Sequence, residues 1–585
     1  MADRSIVVAR LREISSLLEL HGGNKFKARA FARGARALEA TREPLSVLVE
    51  EERLLELPGI GIGIARQIEE LWRTGQSELL ESLRRGLPSG VLELSQVAGI
   101  GLHALRALHE DLGISTIDDL RDAATGGRLR EAKGFDETKE RKILEAIAKY
   151  KAGGRTLLLA EGLRVASELG EEISAMAETS SVHLAGSLSR SAELSTDIDF
   201  VVEARDPAAA VARIATMRRI ASVETRGEAG APNGEATDCR LRLADGTRVD
   251  VFACTTNDLP AALVNSIAAP AHLARLRERA ASRGLRLEPS GLFDGEGARV
   301  PLRDEAQLYA ELGMSWVPPE MREDVGEIEL AARGDPFDLV VESDVRGVVH
   351  CHSTWSDGKH TIEEMARAAE ARGASFITIT DHSGAAHYAR GLDLERLERQ
   401  WDEIDEVQER VSIKLLRGTE TDILADGALD WPDHILERLD VVIASIHNRF
   451  HQDEAKMTER VLRAMRHPIF KIWGHPLGRL LTSRPPIPLR VEEVLDALAE
   501  SRGAVEINGS SHRLDLEPKW VRAACERGIP AVLSVDAHSV RELDNIRYAV
   551  GLARRAGLRR ADVLNTRSAE AFMSAVRPRA AVRSS

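Results

Sequence analysis

The C-terminal half of the chain carries seven short runs of hydrophobic residues, and each run ends at or near a polar residue. The length of these runs, and their alternation with amphipathic segments, predict strands separated by helices. Parallel strands in a barrel gather their carboxyl ends on one face, so residues far apart in sequence meet there. We therefore expect residues 344–578 to form a barrel of parallel strands.

The rest of the chain follows other patterns. Residues 1–85 and 86–152 contain short amphipathic stretches typical of small helical domains. Beyond them, strand patterns such as Ile198–Val202 alternate with helical ones such as Ala271–Arg283. A polar stretch after Val317-Pro318-Pro319 indicates a linker before the barrel. The pattern thus predicts several domains.

Composition narrows the class of protein. The 585 residues have a formal net charge of -14, which disfavours a nucleic-acid partner only if the charge is evenly spread. The 4 cysteines lack paired spacing, which favours a reducing compartment over a disulfide framework. No run approaches the roughly 20 apolar residues of a membrane span, and the N-terminus is unlike a signal peptide. We expect a soluble, intracellular protein.

The strand ends carry metal-binding side chains. His350 and His352, like Asp536 and His538, lie two residues apart, which places each pair on one face of a strand. Six imidazoles and three carboxylates are candidate ligands: His350, His352, Asp357, His382, Glu420, His447, His475, Asp536 and His538. One zinc ion needs only about four ligands, so this set suffices for two or three ions. Any one of these histidines alone would be read as a core or surface residue.

The N-terminal region contains two glycine hairpins. Leu57–Ala65 has the form of a helix-hairpin-helix, in which Gly59 and Gly61 leave backbone N–H groups free to meet a phosphate. Gly99 and Gly101 repeat the pattern. One such hairpin alone could be a plain turn between helices, and the basic stretch that includes Lys25 and Lys27 could be a solvated face. Together they predict DNA binding without sequence preference.

A second carboxylate group lies in the middle of the chain. Asp197 and Asp199 share a strand face by alternation, and Asp250 lies in a second predicted strand. Three such aspartates can hold two magnesium ions for phosphoryl or nucleotidyl transfer. Gly186, Ser187 and Arg190 precede them and would hold a triphosphate. Asp-x-Asp alone is a common surface motif, but this order of motifs is more specific.

These parts, in this order, resemble the bacterial family X DNA polymerases with a C-terminal PHP (polymerase and histidinol phosphatase) domain. The resemblance covers nearly the whole chain and rests on motifs at Ala185–Arg190, Thr196–Asp199, Gly246–Asp250, Val317–Glu323, Val349–Gly358, Thr380–Ser383, Arg417–Glu420, Ile423–Gly427, Ala444–His447, Trp473–Pro476, Arg513–Asp515 and Ser534–His538.

The resemblance implies a multidomain fold. It combines N-terminal all-α helix-hairpin-helix domains, an α+β nucleotidyltransferase palm and a C-terminal distorted (β/α)₇ PHP barrel. The implied domains are an 8-kDa-like domain at 1–85, fingers-like hairpins at 86–152, the palm at 153–260, a thumb-like nucleotide-selection domain at 261–325, a linker at 326–343 and the PHP domain at 344–578.

The resemblance also implies chemistry. The PHP centre, with up to three manganese or zinc ions and Glu420 bridging two of them, would perform 3′-5′ exonuclease work on DNA. The palm aspartates would hold magnesium. Expected partners are gapped, 3′-recessed or abasic duplex DNA and, if the palm is active, deoxynucleoside triphosphates. A monomeric, cytoplasmic, nucleoid-associated protein of bacterial base excision repair is expected.

The nucleotide pocket departs from the family pattern. The family's Tyr-Phe-Thr-Gly-Ser run is Asn265–Ala269 here, and its nucleotide-contacting Asn is Leu273. Thr196 replaces a glycine, and Ser189 replaces an arginine of the phosphate loop. We expect the loss of a stacking platform and one or two hydrogen bonds to weaken the free energy of nucleotide binding by several kcal/mol. Gln67 stands at the position of the Schiff-base lysine that excises deoxyribose phosphate in animal relatives.

Four functional readings follow. The favoured one is a DNA repair phosphoesterase with a weak or lost gap-filling activity. The alternatives are a fully active gap-filling polymerase with a proofreading nuclease, a nuclease with a non-catalytic DNA-docking palm, and a PHP centre acting on a small phosphate ester. Arg479 and Arg513 are each a candidate phosphate contact or a surface ion pair, and Asp426 and Asp430 are candidate supports for the ligands or turn caps.

Overall fold

A computed structural model of the chain gives the fold. The residues that it describes are 4–20, 25–41, 45–51, 53–74, 77–84, 108–109, 111–114, 117–132, 135–137, 139–144, 147, 155–228, 237–243 and 245–578. They divide into two compact units, one of residues 1–157, 173–182 and 196–255, the other of residues 158–172, 183–195 and 256–585. No helix among the described residues is long and apolar enough to cross a lipid bilayer.

Helices form most of the structure outside the sheets. The α-helices span Arg4–Leu20, Lys25–Ala40, Leu45–Glu50, Ile62–Thr74, Glu78–Arg84, Ile117–Thr125, Leu159–Ser174, Gly186–Ser189, Pro207–Ile214, Leu259–Ile267, Pro270–Ser282, Glu305–Glu311, Glu327–Ala332, Ile362–Glu370, Leu394–Gln408, Asp433–Leu436, Glu454–Met465, Val491–Glu500, Pro518–Glu526, Ile546–Arg555 and Ala569–Val576.

Strands build the sheets of both units. In chain order they are β1 Leu157–Leu158, β2 Ser181–Ala185, β3 Leu194–Ser195, β4 Asp197–Glu203, β5 Ile220–Glu228, β6 Thr237–Leu243, β7 Arg248–Cys254, β8 Arg286–Glu288, β9 Gly291–Phe293, β10 Arg299–Val300, β11 Gly347–Cys351, β12 Phe376–Ile379, β13 Lys414–Asp422, β14 Val441–Ser445, β15 Lys471–Trp473, β16 Gly503–Asn508 and β17 Ala531–Ser534.

The first helices pack around their own apolar core, which includes Leu11, Phe31 and Ile68. The turn before helix Ile62–Thr74 has Gly59 at φ +94°, a left-handed backbone that favours glycine. This is the predicted first hairpin. The second hairpin, with Gly99 and Gly101, lies outside the described residues.

The basic stretch forms helix Lys25–Ala40, where Lys27 is exposed and the side chain of Lys25 lies outside the described residues. Arg29, Arg33 and Arg36 are exposed at helical spacing. They therefore share one solvent-facing side of the helix, which is the arrangement that a phosphate backbone requires.

The palm strands of the first unit set the aspartates side by side. β4 and β7 run parallel, with Asp199 opposite Asp250, and β6 pairs antiparallel with both β7 and β5. The first four residues of β4 alternate between half-buried and buried, as expected of a strand with one covered face, and the next two are also buried. The prediction that Asp250 lies on a strand adjacent to the Asp-x-Asp strand is confirmed.

Residues between the palm and the barrel share a second core. Helices Leu259–Ile267 and Pro270–Ser282 contribute Val264 and Leu276, and the short helix Glu327–Ala332 contributes Ile328. That short helix occupies part of the stretch expected to be a linker. Its burial is consistent with the apolar positions Ile328 and Ala331, three residues apart on one helical face.

The barrel contains seven parallel strands in chain order from β11 to β17. Beyond the last strand, the Ala537 amide donates to the His350 carbonyl at 3.0 Å, and Cys351 forms a parallel bridge with Ala537. These bonds bring the last strand back to the first, and the strands are buried on both faces. The predicted fold class, with helical hairpin domains, an α+β palm and a seven-stranded barrel, is confirmed.

Candidate metal centre

The predicted ligands converge at the carboxyl ends of the barrel strands. His352, Asp357, His382 and His538 form one group whose ligand atoms lie within 4.8 Å of one another. Two further groups at the same spacing are His350, His352 and Asp536, and His382, Glu420 and His447. Because His352 and His382 each belong to two groups, the three groups form one continuous centre.

Glu420 lies at the middle of this centre. Its carboxylate oxygens approach five imidazoles, those of His475 (2.8 Å), His382 (2.9 Å), His447 (3.1 Å), His350 (3.3 Å) and His352 (3.6 Å). Strand β13 positions the side chain, since its residues from Gly418 to Asp422 pair with β14 without interruption. A carboxylate in this place can bridge two ions, and His475, which is in none of the three groups, joins the centre through it.

Several buried atoms of the centre make no well-directed hydrogen bond within the described chain, although some lie close together, as His382 Nδ1 and Glu420 Oε2 do at 2.9 Å. They are His350 Nε2, His352 Nδ1 and Nε2, His382 Nδ1, His475 Nδ1 and Glu420 Oε2. A buried polar atom without a partner costs about 1–3 kcal/mol of folding free energy. A group of them in one place would therefore strongly destabilise a purely structural core. Nitrogen and oxygen lone pairs that face a shared space are the donor set that zinc and manganese accept. The residues present therefore fit divalent metal ions.

The carboxylates of the centre are held ionised. Burial raises the pKa of Glu420, but the imidazoles of His447 and His350 lower it by more, so that its pKa is well below the ordinary value. Burial likewise raises the pKa of Asp536, and His350 and His352 then bring it well below its usual range. Both predicted ligands are thus anionic at neutral pH.

The imidazoles divide into two kinds. Burial lowers the pKa of His447 and of His538, but Glu420 acts on the first and Asp357 on the second to raise each to about 9. Burial, together with the charges of His538 and His382, lowers the pKa of His352 to about 4. His352 therefore presents neutral nitrogens, while a metal ion binding at His447 and His538 would displace protons from them.

Two carboxylates orient the ligands and were not predicted as part of the site. Glu506 Oε1 lies 2.5 Å from His350 Nδ1. Asp422 Oδ1 lies 2.8 Å from His447 Nδ1. Such contacts fix the ring orientation of metal-binding histidines. The sequence did carry a signal for Asp422, because it lies two residues after Glu420 on the same strand and so shares its face. Glu506 lies near the end of its hydrophobic run, as the predicted ligands lie near the ends of theirs.

Three ligands have left-handed backbones. The φ angles are +67° at His350, +25° at His475 and +48° at Asp536. A side-chain-bearing residue in this region costs about 1–3 kcal/mol and persists where the surrounding structure fixes it. The barrel therefore aims these side chains by its own packing, which is typical of functional sites.

The candidate supports behave as turn residues. Asp426 Oδ1 accepts from the Ala428 amide at 3.0 Å, and its side chain is 60% exposed. Asp430 Oδ2 accepts from the Ala385 amide at 2.8 Å and so fastens the loop after His382. The turn-capping alternative is thus correct for Asp426. Asp381 has a comparable role, since it accepts from the amides of Ser353 and Ser356.

The two candidate phosphate contacts differ. Arg513 Nε lies 3.0 Å from Asp536 Oδ2, and its buried Nη1 has no partner among the described residues, so it remains suited to a phosphate. The prediction for Arg479 is wrong. Its guanidinium is only 8% exposed and is occupied by Glu193 (3.2 Å), Glu517 (3.0 Å) and the Arg513 carbonyl (3.0 Å).

Glu193 joins the palm-derived residues of the second unit to the barrel. Its carboxylate lies 2.6 Å from Arg555 in addition to its contact with Arg479. Arg555 also pairs with Glu323 at 2.8 Å. Burial raises the pKa of Glu193, but Arg555 and Arg479 lower it by more, so that it is anionic and paired. The spacing in sequence gave no signal for this pairing, because its members lie far apart.

Asp515 lies beside the centre and predicts a pH effect on stability. Burial raises its pKa to about 7, against the lowering influence of Arg479 and Arg513. An unfolded aspartate has a pKa of about 3.9. Between these values the folded protein binds a proton that the unfolded chain lacks, so the protonated group's contribution to stability is lost as pH rises toward 7.

We therefore expect Asp515→Asn to stabilise the protein at pH 8 by about 1–3 kcal/mol and to have little effect at pH 4.5. An amide oxygen still accepts from the Leu477 amide, which now donates to Asp515 Oδ2 at 3.0 Å. Melting temperatures at both pH values test this, with Asp426→Asn as the exposed control. An equal shift at both pH values would contradict it.

The palm aspartates also come together. Asp197, Asp199 and Asp250 offer oxygens within 4.8 Å of one another. Arg240 makes two hydrogen bonds to Asp250, at 2.9 and 3.0 Å, and Arg248 pairs with Asp197. The carboxylates thus have positive neighbours where a magnesium ion would otherwise balance their charge.

The phosphate loop belongs to the second unit. Ser187 donates to Ser195 Oγ at 2.7 Å, and Arg190 donates to the carbonyls of Gly186 (3.0 Å) and Ile267 (2.5 Å). Arg190 Nε also lies 3.6 Å from Glu323. The Arg190 guanidinium is therefore already engaged by neighbouring groups of the protein.

The residues that differ from the family pattern have structural roles. Asn265 donates to the carbonyls of Ala261 (2.8 Å) and Glu288 (3.1 Å) and so closes its helix against β8. Leu273 packs against the apolar core of this region. Gln67, in helix Ile62–Thr74, donates to Glu70 and accepts from Ser77. None of these three offers the stacking surface or the amine that the family pattern has at its position.

Four parts of the chain match family models. A helix-hairpin-helix domain matches residues 3–77, a SAM-like helix-hairpin-helix tandem residues 91–149, a DNA polymerase beta thumb residues 263–323 and a PHP domain residues 349–510.

Relatives match at two scales. The chain is 32% identical over 572 residues to the DNA polymerase/3′-5′ exonuclease PolX of Bacillus subtilis, covering 97% of this chain and 98% of that protein. A probable phosphatase of Thermoanaerobacter is 31% identical over 232 residues, 37% of this chain and 89% of its own length. A Leishmania infantum polymerase beta ternary complex is 20% identical over 40% of this chain and 97% of its own, with a TM-score of 0.27. Because the Bacillus relative matches from end to end, this chain belongs to the family X DNA polymerases that carry a C-terminal PHP domain.

Proposed function

We propose that this protein is a DNA repair enzyme whose barrel hydrolyses phosphodiesters at DNA 3′ ends. The observation that carries the proposal is the set of unpartnered imidazole and carboxylate atoms around Glu420. We assign the ligand role to the nine residues His350, His352, Asp357, His382, Glu420, His447, His475, Asp536 and His538. The match to PolX of Bacillus subtilis, named a 3′-5′ exonuclease, supports this direction of cleavage.

The ions, manganese or zinc, would supply an activated water and neutralise the charge of the scissile phosphate. The chain's own residues prepare the centre for them. Asp422 and Glu506 hold the imidazoles of His447 and His350 in fixed orientations. Arg513 presents an unpartnered N–H next to Asp536, where a non-bridging phosphate oxygen can accept it.

The palm in this proposal is a weak gap-filling polymerase that uses magnesium at Asp197, Asp199 and Asp250. The clustering of the three carboxylates supports retained metal binding. The structural use of Asn265 and the apolar packing of Leu273 support a poorer grip on the nucleotide. Gly186, Ser187 and Arg190 remain the proposed triphosphate contacts, and deoxynucleoside triphosphates the proposed substrates.

DNA binding is assigned to the N-terminal hairpins. The exposed Lys27 and the arginines on the same helix support a backbone contact, as does the left-handed turn at Gly59. Lys25, Gly61, Gly99 and Gly101 complete the proposed set. We further propose a monomer in the bacterial cytoplasm, acting on gapped, 3′-recessed or abasic duplexes, with the domain boundaries predicted from the sequence.

A labelled gapped duplex incubated with manganese, with and without deoxynucleotides, tests the proposal. We expect shortening of the 3′ end without nucleotides, and only slight lengthening with them. Strong lengthening would instead favour a full gap-filling polymerase. Tight binding to the gap with shortening but no lengthening would favour a palm that only docks DNA. Absence of both shortening and lengthening would contradict the proposal.

A second candidate function is hydrolysis of a small phosphate ester. The probable phosphatase of Thermoanaerobacter, which matches 37% of this chain and 89% of its own length, favours it. Side-by-side turnover of an oligonucleotide and a sugar phosphate decides between the two. Faster cleavage of the sugar phosphate would show that the substrate is a small phosphate ester and not DNA.

A further inference from the structure

An exposed aromatic side chain overhangs the metal centre. Tyr388 is 67% exposed, although large aromatic side chains are usually covered. It lies in the loop between β12 and helix Leu394–Gln408, in the short 3₁₀ turn His387–Ala389. Its ring centroid is 6.0 Å from that of His382 and 6.1 Å from that of His447. The tyrosine therefore stands at the entrance to the centre, next to two proposed ligands.

The loop is fixed rather than loosely attached. The Leu392 amide donates to the His382 carbonyl at 2.8 Å, and the Ala385 amide donates to Asp430 at 2.8 Å. Arg390, in a left-handed conformation at φ +56°, ends the turn. A rigidly mounted aromatic ring binds a planar partner with little loss of conformational entropy.

A cation lies near the same entrance. Arg484 stacks on Phe450, with its Cζ 3.9 Å from the ring centroid, and its Nε donates to the Gly478 carbonyl at 2.8 Å. No carboxylate within the described ranges lies in ion-pair distance of it. The Gly478 amide donates in turn to the carbonyl of His475, a proposed ligand, at 2.8 Å, so Arg484 lies on the loop that follows this ligand.

We propose that Tyr388 is a stacking platform for the terminal base of an unpaired DNA 3′ end. We propose also that Arg484 binds a backbone phosphate on the 5′ side of that base. The inference rests on the proposed function of the centre and names its substrate more closely. Base stacking on an aromatic ring contributes about 1–3 kcal/mol and works for any base. A base inside a duplex has both faces covered by its neighbours, so the platform selects frayed or single-stranded ends.

A cycle that removes the base and the ring separately tests the stacking. Single strands ending either in thymidine or in a tetrahydrofuran abasic residue are offered with manganese to the full chain and to its Tyr388→Ala variant. We expect the variant to lose about tenfold in kcat/KM on the thymidine end and nothing on the abasic end. Tyr388→Phe, which keeps the ring, is the matched control and should equal the original protein on both ends.

The phosphate contact has a different signature. Arg484→Ala should slow both ends alike, by about fivefold to tenfold, because a backbone phosphate is present in each. Full cleavage of the abasic end by Tyr388→Ala also reports that the metal centre is intact in the variant.

The outcomes separate the two proposals. An equal loss by Tyr388→Ala on both ends, or no loss on either, would overturn the stacking platform. No loss in Arg484→Ala would overturn the phosphate contact. If the unaltered protein shortened neither strand with manganese, the proposed nuclease function itself would fail.

Discussion

Glu420→Gln is expected to reduce manganese-dependent shortening of DNA by about a thousandfold, or about 4 kcal/mol of transition-state stabilisation. The substitution keeps the volume of the side chain but removes the charge that five imidazoles surround within 3.6 Å. A neutral amide bridges ions poorly, and one of its two ends would turn an N–H toward them. The rate of 3′-end release, with the metal content by elemental analysis, measures the effect.

The matched control is Asp426→Asn, which makes the same chemical change on an exposed turn of the same barrel. It should retain full activity and metal content. Retention of nuclease activity by Glu420→Gln together with a normal metal content would show that the hydrolytic centre lies elsewhere.

Asp250→Ala is expected to lower primer extension at least about a hundredfold while leaving nuclease activity unchanged. Asp250 shares its metal-sized cluster with Asp197 and Asp199, so its loss removes a ligand from the palm and none from the barrel. The extension assay is best run in a Glu420→Gln background, where degradation no longer hides weak synthesis. Primer lengthening with magnesium or manganese is the measurement.

Asp238→Asn serves as the control, since this carboxylate is exposed on the adjacent strand β6 and lies outside the cluster. Extension that survived Asp250→Ala would mean that polymerisation does not use the palm aspartates. A loss of nuclease activity in the same variant would indicate that the palm supports the barrel.

Much of the centre was predictable from the two-residue period of strands and from the closure of a parallel barrel. The spacing correctly put His350 near His352 and Asp536 near His538, although His350 and Asp536 have left-handed backbones and the second pair lies beyond the end of β17. Barrel closure brought all seven strand ends together. In the palm, alternation put Asp197 and Asp199 on one face of β4, and the register sets Asp199 opposite Asp250. Alternation and strand order depend on local sequence and topology, which a single sequence contains.

The remainder depended on distances that no local pattern encodes. Arg479 is a residue type that commonly contacts phosphates, yet its guanidinium forms ion pairs with Glu193 and Glu517. Glu506 turned out to orient His350 from 156 residues away. The left-handed backbones of three ligands arise from the packing around them. Each is a tertiary effect that overrides the local expectation.

The pairing of Glu193 with Arg479 and Arg555 limits how modular this chain can be. A barrel excised after residue 343 would lose that counter-charge, and also Glu323. In such a fragment Arg555 would lose both of its carboxylate partners and Arg479 would keep only Glu517, so this surface would attract polyanions, more strongly at low salt. Transplanting the nuclease into another scaffold would therefore require carrying the segment around Glu193 along with it, or replacing both arginines by neutral residues.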